Sequence, residues 1–571
     1  MLYWENQAPP IRAFQFYSSL LFASELEARN FLALALAREA AEIARAMDDR
    51  MMEPHTRVRL AALAAATGDE ALARKEFLRA DRLYGEAGDA GATEAYRASG
   101  EIGLASLEVS QGRETQAAER LERVRAILPR IGAYTRSLSF YRALGALQLR
   151  KGQMADGEKS LLAAAAISEA GLRTLTNERD RAVWMRETAP VYRDLVQVRL
   201  SQGNARGAWE SWEWFKSAPL REGAEREKTV PAVKIDSNRQ GAVLSYALLP
   251  AGLAIWVVDY RGVSEKWMPG TTAKVERLAQ RFASACARPD SDLVQLRSLG
   301  QQLYTLLIAP VASQLPQGQV LMIEPDGVLS DVAFSALVGG DGNYLAERFL
   351  LVTSPGVLYL ARLRESDPIT AKRPALVIGA PSEQRATTAF PVSLRALPEA
   401  ADEARIVASR FERPVLLSGP TVTLDRVERE LPLAVVIHFA GHARNDVGGT
   451  GLLLSGSGEI MAPEDLSPAR LRRCQLVVLS ACSTERGAEE GLYDPDSMVR
   501  TFLAAGVPYV VASRWNVDSK AAATLMNHFY TGLLAGQGVL VSLRESAAKL
   551  RRSPETAHPY YWAVFSSFGR S

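Results

Sequence analysis

The apolar residues of this chain change their period once, near residue 225, and that change fixes what each side can fold into. Residues 1–225 are rich in Ala, Leu, Glu and Arg, with apolar side chains three and four apart. This is the pattern of amphipathic helices, with almost no strand signal. The charged, Pro-containing stretch 226–240, "REKTVPAVKIDSNRQ", reads as a linker. Residues 241–571 then alternate short apolar runs with helical stretches. At 571 residues the chain is too long for one core, so a division here is expected.

The first half repeats itself. "TGDEALARKEFLRA", "QGRETQAAERLERV", "KGQMADGEKSLLAA" and "QGNARGAWESWEWF" share a Gly, a polar stretch and an amphipathic helix, at Gly68, Gly112, Gly152 and Gly203. Five residues after each Gly stands a small side chain: Ala73, Ala117, Gly157 and Ala208. Seven before it stand Ala61, Ala105, Gly145 and Val196. Small residues at fixed offsets let two helices cross closely, and the Gly makes the turn between them. The pattern resembles tetratricopeptide repeats (TPR), with spacings of 44, 40 and 51 residues in place of the usual ~34. The resemblance implies a helical superhelix that binds a protein partner or activator; the plainer alternative is an irregular helical bundle.

In the second half, residues 242–249, 253–260 and 263–269 read as a meander, followed by helical segments over 272–313. Further strands are expected at 319–325, 374–380, 433–440, 475–481 and 507–515, with helices at 398–411, 496–505 and 518–535. Strand–helix alternation predicts a mostly parallel sheet covered on both faces, with 241–370 as its first part and 371–571 as its second.

Bulk properties exclude several classes. The 67 basic and 65 acidic residues nearly cancel, which gives no case for nucleic acid as a partner. No apolar run reaches the ~18 residues of a membrane helix, and the N-terminus has no secretory leader pattern. Three cysteines make no disulfide framework, so a reducing cytoplasm is expected. No Gly-rich phosphate loop, Gly-x-Ser-x-Gly elbow or Cys-x-x-Cys occurs, so no cofactor is expected.

Two strand ends carry chemistry. "VVIHFAGHARND" places His442 just past a buried strand, and "LVVLSACST" places Cys482 at the equivalent position about 40 residues later. The C-terminal ends of parallel strands are where α/β sheets gather reactive groups. An imidazole beside a thiol allows a thiolate at neutral pH and can then protonate a leaving amine. Backbone N–H groups in turns after His442 and Cys482, those of Ala443 and Cys482, would hold an oxyanion. Cys474, farther up its strand, reads as structural, as do His528 and His558. His438 reads as a buried, hydrogen-bonded histidine. Its i,i+4 spacing to His442 would suit a metal only on a helix, so no metal is expected.

The second half further resembles the CHAT domain, a caspase-like cysteine peptidase module. The matching segments are "IEPDGVLSDVAFSALV", "HFAGHA", "LVVLSACST", "FLAAGVPYVVASRWNVD", "LMNHFYTGLLAG" and "HPYYWAVFSSFG". The resemblance implies a caspase-like α/β sandwich with His442 as general acid/base and Cys482 as nucleophile. It further implies a cysteine endopeptidase acting on a protein substrate, in bacterial defence or programmed death, with cleavage of effectors such as gasdermins in some systems. Where the family prefers Gly after its His, this chain has Ala443, which an αL backbone would cost about 1–2 kcal/mol. Arg514, Trp515 and Asp518 follow another strand end, where relatives build substrate loops; for Trp515 a structural role is equally open. Glu485, Glu489 and Glu490 form an acidic loop after the nucleophile and are further substrate-binding candidates. A second function class stands beside the peptidase: a catalytically silent adaptor that retains the fold as a protein-interaction scaffold.

Overall fold

The computed structural model describes residues 9–26, 29–87, 91–131, 133–175, 178–220, 241–380, 396–446, 449–455, 459–483, 496–516 and 518–570. The chain forms two compact units, Met1–Gln202 and Gly203–Ser571.

Unit one is helical throughout its described residues. Its helices are α1 (Pro10–Leu26), α2 (Asn30–Ala46), α3 (Met52–Ala66), α4 (Glu70–Ala87), α5 (Gly91–Ser110), α6 (Glu114–Ile127), α7 (Tyr134–Arg150), α8 (Met154–Leu172) and α9 (Glu178–Ser201). The turns seen in the sequence join α3 to α4, α5 to α6 and α7 to α8. Gly68, Gly112 and Gly152 take φ of 83°, 73° and 74°, the left-handed conformation that ends a helix without a Cβ penalty. Each turn closes with the same bond from the residue after the Gly: Asp69 N–H to Ala64 O, Arg113 N–H to Glu108 O, and Gln153 N–H to Gln148 O.

The small residues do what their offsets implied. Ala61, Ala73, Ala105 and Ala117 are fully buried. A Cβ on Gly157 would lie 2.6 Å from Leu149 Cδ2, and one on Gly145 3.2 Å from the Gly157 carbonyl, so α7 and α8 cross almost backbone to backbone. Buried ion pairs tie the earlier hairpins together. Arg57 on α3 donates at 2.7 Å to both Glu53 and Glu76. Arg120 on α6 donates at 2.9 Å to Glu101 and at 3.0 Å to Glu108, both on α5.

The fourth repeat splits. Gly203 has the same left-handed φ, 71°, but the helix after it, α10 (Ala205–Lys216), belongs to the sheet unit. The division therefore falls at Gln202/Gly203, ahead of the expected position near 225. The reason is the chemistry of α10: Trp212 Nε1 donates to Tyr246 O at 2.9 Å, and the Lys216 ammonium bonds Ser245 Oγ at 3.0 Å and Glu324 Oε2 at 2.8 Å.

Unit two is built on one mixed sheet. Its strands are β1 (Gly241–Leu249), β2 (Gly252–Asp259), β3 (Gly262–Pro269), β4 (Val320–Glu324), β5 (Leu350–Thr353), β6 (Ala375–Gly379), β7 (Pro414–Ser418), β8 (Val436–Asp446), β9 (Gly449–Leu453), β10 (Ile460–Met461), β11 (Leu476–Ser483), β12 (Tyr509–Ser513) and β13 (Phe565–Gly569). The order is β10-β9-β8-β11-β12-β13-β5-β4-β1-β2-β3, with β6 between β7 and β8. Pairing is parallel through β7-β6-β8-β11-β12 and again through β13-β5-β4-β1, while β1-β2-β3 form the expected antiparallel meander.

Two apolar cores cover the faces. Val436 and Val478 point into one, with Ala404, Leu525 and Phe529 from the covering helices. Ile437, Phe439, Val477 and Leu479 point into the other, with Val499 and Phe502. Burial on both sides is why these strands read as continuous apolar runs.

Candidate functional site

Strands β8 and β11 run side by side in parallel, and their register sets Cys482 opposite His442. The preceding rungs are Ala481 with Gly441 and Ser480 with Ala440; the following one is Ser483 with Ala443. Adjacent strands lie ~4.8 Å apart, so two sequence positions 40 residues distant become neighbours. The Cys482 side chain lies outside the described residues, as do Glu485, Glu489 and Glu490. His442 is buried.

His442 does not follow its strand; it lies inside it. The far edge of β8 is shared end to end by two partners. Parallel β6 pairs with Val436–Ala440, and antiparallel β9 pairs with Ala443–Asp446. Gly441 and His442 occupy the interval where one neighbour stops and the other starts. The β9 hairpin prolongs β8 past the point where the apolar run ends, which the sequence reading took as the strand's end. Gly441 is needed for close approach: a Cβ there would meet Ala380 Cβ at 2.9 Å.

Ala443 consequently has no αL backbone. The one non-glycine with positive φ among the described residues is Asp48, so the expected cost at Ala443 does not arise. Nor does a turn follow His442. Ala443 sits in the sheet between Ser483 and Leu452. The carbonyls of Leu479 and Ala481 face β12, where the Ser513 hydroxyl reaches both. By the two-residue period of a strand, the main-chain groups of Cys482 face β8. Both N–H groups considered for an oxyanion thus lie within the ladder.

The sheet face beneath this pair carries a polar cluster that residue spacing gave no means of assembling. His438 is fully buried, its Nδ1 3.2 Å from the Tyr530 hydroxyl and its Nε2 3.2 Å from Glu403 Oε1. This is the hydrogen-bonded histidine the sequence suggested. Glu403 comes from the helix Pro398–Ala408, which packs close because Gly379 has no side chain: a Cβ there would meet Ala404 Cβ at 2.8 Å. Burial, then the charge of Glu403, pushes the Tyr530 hydroxyl pKa well up.

The remaining candidates are engaged in the scaffold. Arg514 is buried, with Nε donating to Ser566 Oγ at 2.7 Å and Nη1 donating to the Ser330 carbonyl. Trp515 lies in the core, its Nε1 donating to Tyr560 O at 3.0 Å. Asp518 caps the helix Ser519–Leu534, accepting from Ala521 N–H at 3.0 Å. Cys286 and Cys474 are buried free thiols; burial pushes the Cys286 pKa up and that of Cys474 to about 12. Among the described residues no group of three or more His, Cys, Asp or Glu could hold a metal, and no helix is long and apolar enough to cross a membrane.

Comparison with known proteins agrees with the resemblance in the sequence. Residues 297–570 match the CHAT domain. Tetratricopeptide repeat protein 28 of Mus musculus is 29% identical over 323 residues, covering 47% of this chain and 13% of that protein. Its Homo sapiens counterpart is 27% identical over 319 residues with the same coverages. The chain thus spans about an eighth of the length of these relatives. Among solved structures, the Saccharomyces cerevisiae separase–securin complex aligns with 98% of this chain and 56% of that one, at 9% identity and a TM-score of 0.39. At that TM-score the likeness carries no weight for function. The chain is therefore similar to the CHAT domain over residues 297–570, and this part follows an N-terminal region of helical repeats.

Proposed function

We propose that the sheet unit is a cysteine endopeptidase in which Cys482 is the nucleophile and His442 the general acid/base. The observation that carries this is the rung pairing Cys482 with His442 at the end of the parallel β8–β11 ladder. In-register residues of parallel strands lie on one face of a sheet, within reach of a thiolate–imidazolium pair. The Cys482 thiolate adds to the scissile carbonyl, and the His442 imidazolium gives its proton to the departing amine. That leaves an acyl-enzyme and a neutral imidazole. The imidazole then takes a proton from water as the hydroxide adds to the thioester, and collapse releases the acid and the thiol.

For the Ala443 or Cys482 N–H to hold the oxyanion, the last rungs of the ladder have to part, which makes opening of this edge part of the proposal. The helical repeats recruit the protein substrate or an activator, and a nucleophilic thiol calls for a reducing compartment. The closed ladder also favours a second reading, an adaptor that keeps the fold without turnover. Under it, Cys482→Ala leaves partner binding and biological effect unchanged.

The test is titration of the full-length protein with iodoacetamide from pH 5 to 9, with each alkylated cysteine located by mass spectrometry. Cys286 and Cys474, both buried, are internal references. The peptidase reading expects Cys482 to react well below the ~8.5 of a free thiol, and to lose that on His442→Ala. Reactivity indistinguishable from the buried cysteines, or indifferent to His442, sinks it.

A further inference from the structure

We propose that Ser513 is a positioning residue for the nucleophile strand, its hydroxyl making the last rung between β11 and β12 and so fixing the peptide that carries Cys482. This rests on the peptidase reading above. The backbone ladder between these strands ends at Leu479 with Ala512. β12 itself ends at Ser513, short of the next residue whose N–H would face β11, while Arg514 continues the pairing with the other neighbour by donating to Val564 O at 2.8 Å. The Ala481 carbonyl, buried and facing β12, is thereby left without a main-chain donor from that strand. Such a carbonyl is costly to strand.

The Ser513 hydroxyl fills the place. Its Oγ is 2.8 Å from Ala481 O and 3.3 Å from Leu479 O. One proton makes one good bond, and the shorter contact takes it. The Ala481 carbonyl and the Cys482 N–H belong to the same planar peptide unit. A bond that orients one therefore orients the other, and so holds the Cys482 backbone in register opposite His442. Ser513 is only 1% exposed, so it meets no substrate and acts through the peptide alone. Nothing in an apolar run ending "VVAS" separates this serine from any other strand-end residue. Its role follows from β12 ending at Ser513, while β11 runs on to Ser483.

The experiment is the pH profile of Cys482 alkylation by iodoacetamide in the full chain, for wild type and for Ser513→Ala, Ser513→Thr and Ser513→Val. Thr and Val share a shape and differ in the hydroxyl, so that pair isolates the bond even if Ser513→Ala fails to fold. The expected result is that Ser513→Thr keeps the wild-type profile. Ser513→Val and Ser513→Ala should move the apparent thiol pKa toward the free value and slow alkylation at pH 6.5 roughly tenfold, the scale of a small misplacement of a reacting group. If Val and Thr give the same wild-type profile, Ser513 is a structural tie and the proposal is overturned. If wild type itself shows no His442-dependent reactivity below pH 7, the peptidase reading fails and takes this proposal with it.

Discussion

Arg57 offers the strongest single test of how the repeat region is held together. Its guanidinium is 1% exposed and lies between Glu53 on its own helix and Glu76 on the next, at 2.7 Å from each. Removing the cation by Arg57→Met leaves Glu76, itself nearly buried, without its partner, whereas Glu53 keeps Arg79 at 3.0 Å. Stripping one member from a buried pair costs about 3–5 kcal/mol, against a total of roughly 5–15 for a domain. Glu76→Leu should cost less, because Arg57 retains Glu53. The double variant Arg57→Met/Glu76→Leu should be more stable than Arg57→Met alone, since no buried charge is then orphaned. Native-state hydrogen exchange across Met52–Ala66 and Glu70–Ala87 reads the opening free energy of this hairpin directly. At 1.36 kcal/mol per decade, Arg57→Met should lower protection by roughly two to nearly four orders of magnitude. A loss of less than tenfold, or a double variant worse than Arg57→Met, refutes the idea that an uncompensated Glu76 dominates the cost.

In the sheet unit, burial and then the charge of Glu213 push the Glu324 carboxyl up to about 8, against the opposing ammonium of Lys216. Its folded pKa lies above the unfolded value, so its stabilising share is whole below the unfolded carboxylate pKa of ~4.3 and is lost as pH rises to about 8. The melting temperature of Glu324→Gln should accordingly depend less steeply on pH between 5 and 8 than that of wild type; equal slopes would show that Glu324 does not titrate there. Gly379→Val should destabilise by about 1–3 kcal/mol by pushing the helix Pro398–Ala408 off β6, and should shift the His438 ring resonances as Glu403 withdraws. Unchanged resonances would mean that Glu403 is held independently of that approach. Trp515→Ala should cost about 3–5 kcal/mol and Asp518→Ala about 1 kcal/mol in denaturant unfolding, as core and cap residues do. Near-neutral values at both would return them to the substrate cleft.

The repeat turns were legible because a left-handed φ selects glycine and a close crossing selects small side chains, and both constraints act on single positions. The ion pairs show what such reading passes over. Arg57 and Glu76 stand eleven before and eight after Gly68; Glu101 and Arg120 stand at the same offsets from Gly112 with the charges exchanged. The two offsets mark facing positions on paired helices. The exchange hid them, because residue identity is not conserved between units while complementarity is. The next repeat carries Tyr141 and Ser160 at these offsets, so the charged pair is confined to the first two repeats. A search for conserved pairs of opposite character, rather than conserved residues, would have found them.

In the sheet unit the long apolar runs announced themselves, whereas β5, β7, β9, β10 and β13 did not: they are two to five residues long, and "FSSFG" and "GTGLL" are paired by neighbours rather than by their own composition. That gap matters most at the site. The expected position of His442 past a strand end came from counting apolar residues, yet His442 and Ala443 are both buried. Hydrogen bonding does not stop there either, because β9 folds back and takes over the edge of β8 that β6 has left. Which residue falls in the interval between those two partners is decided by where β6 ends and by the hairpin's register, and both are set by segments far from His442 in sequence. The site is therefore specified at two levels. The identity of His442 and Cys482 is written locally, at the ends of two readable strands. Their opposition, the closed ladder around them and the Ser513 bond beneath them depend on how three strands share edges, and only pairing in three dimensions determines that.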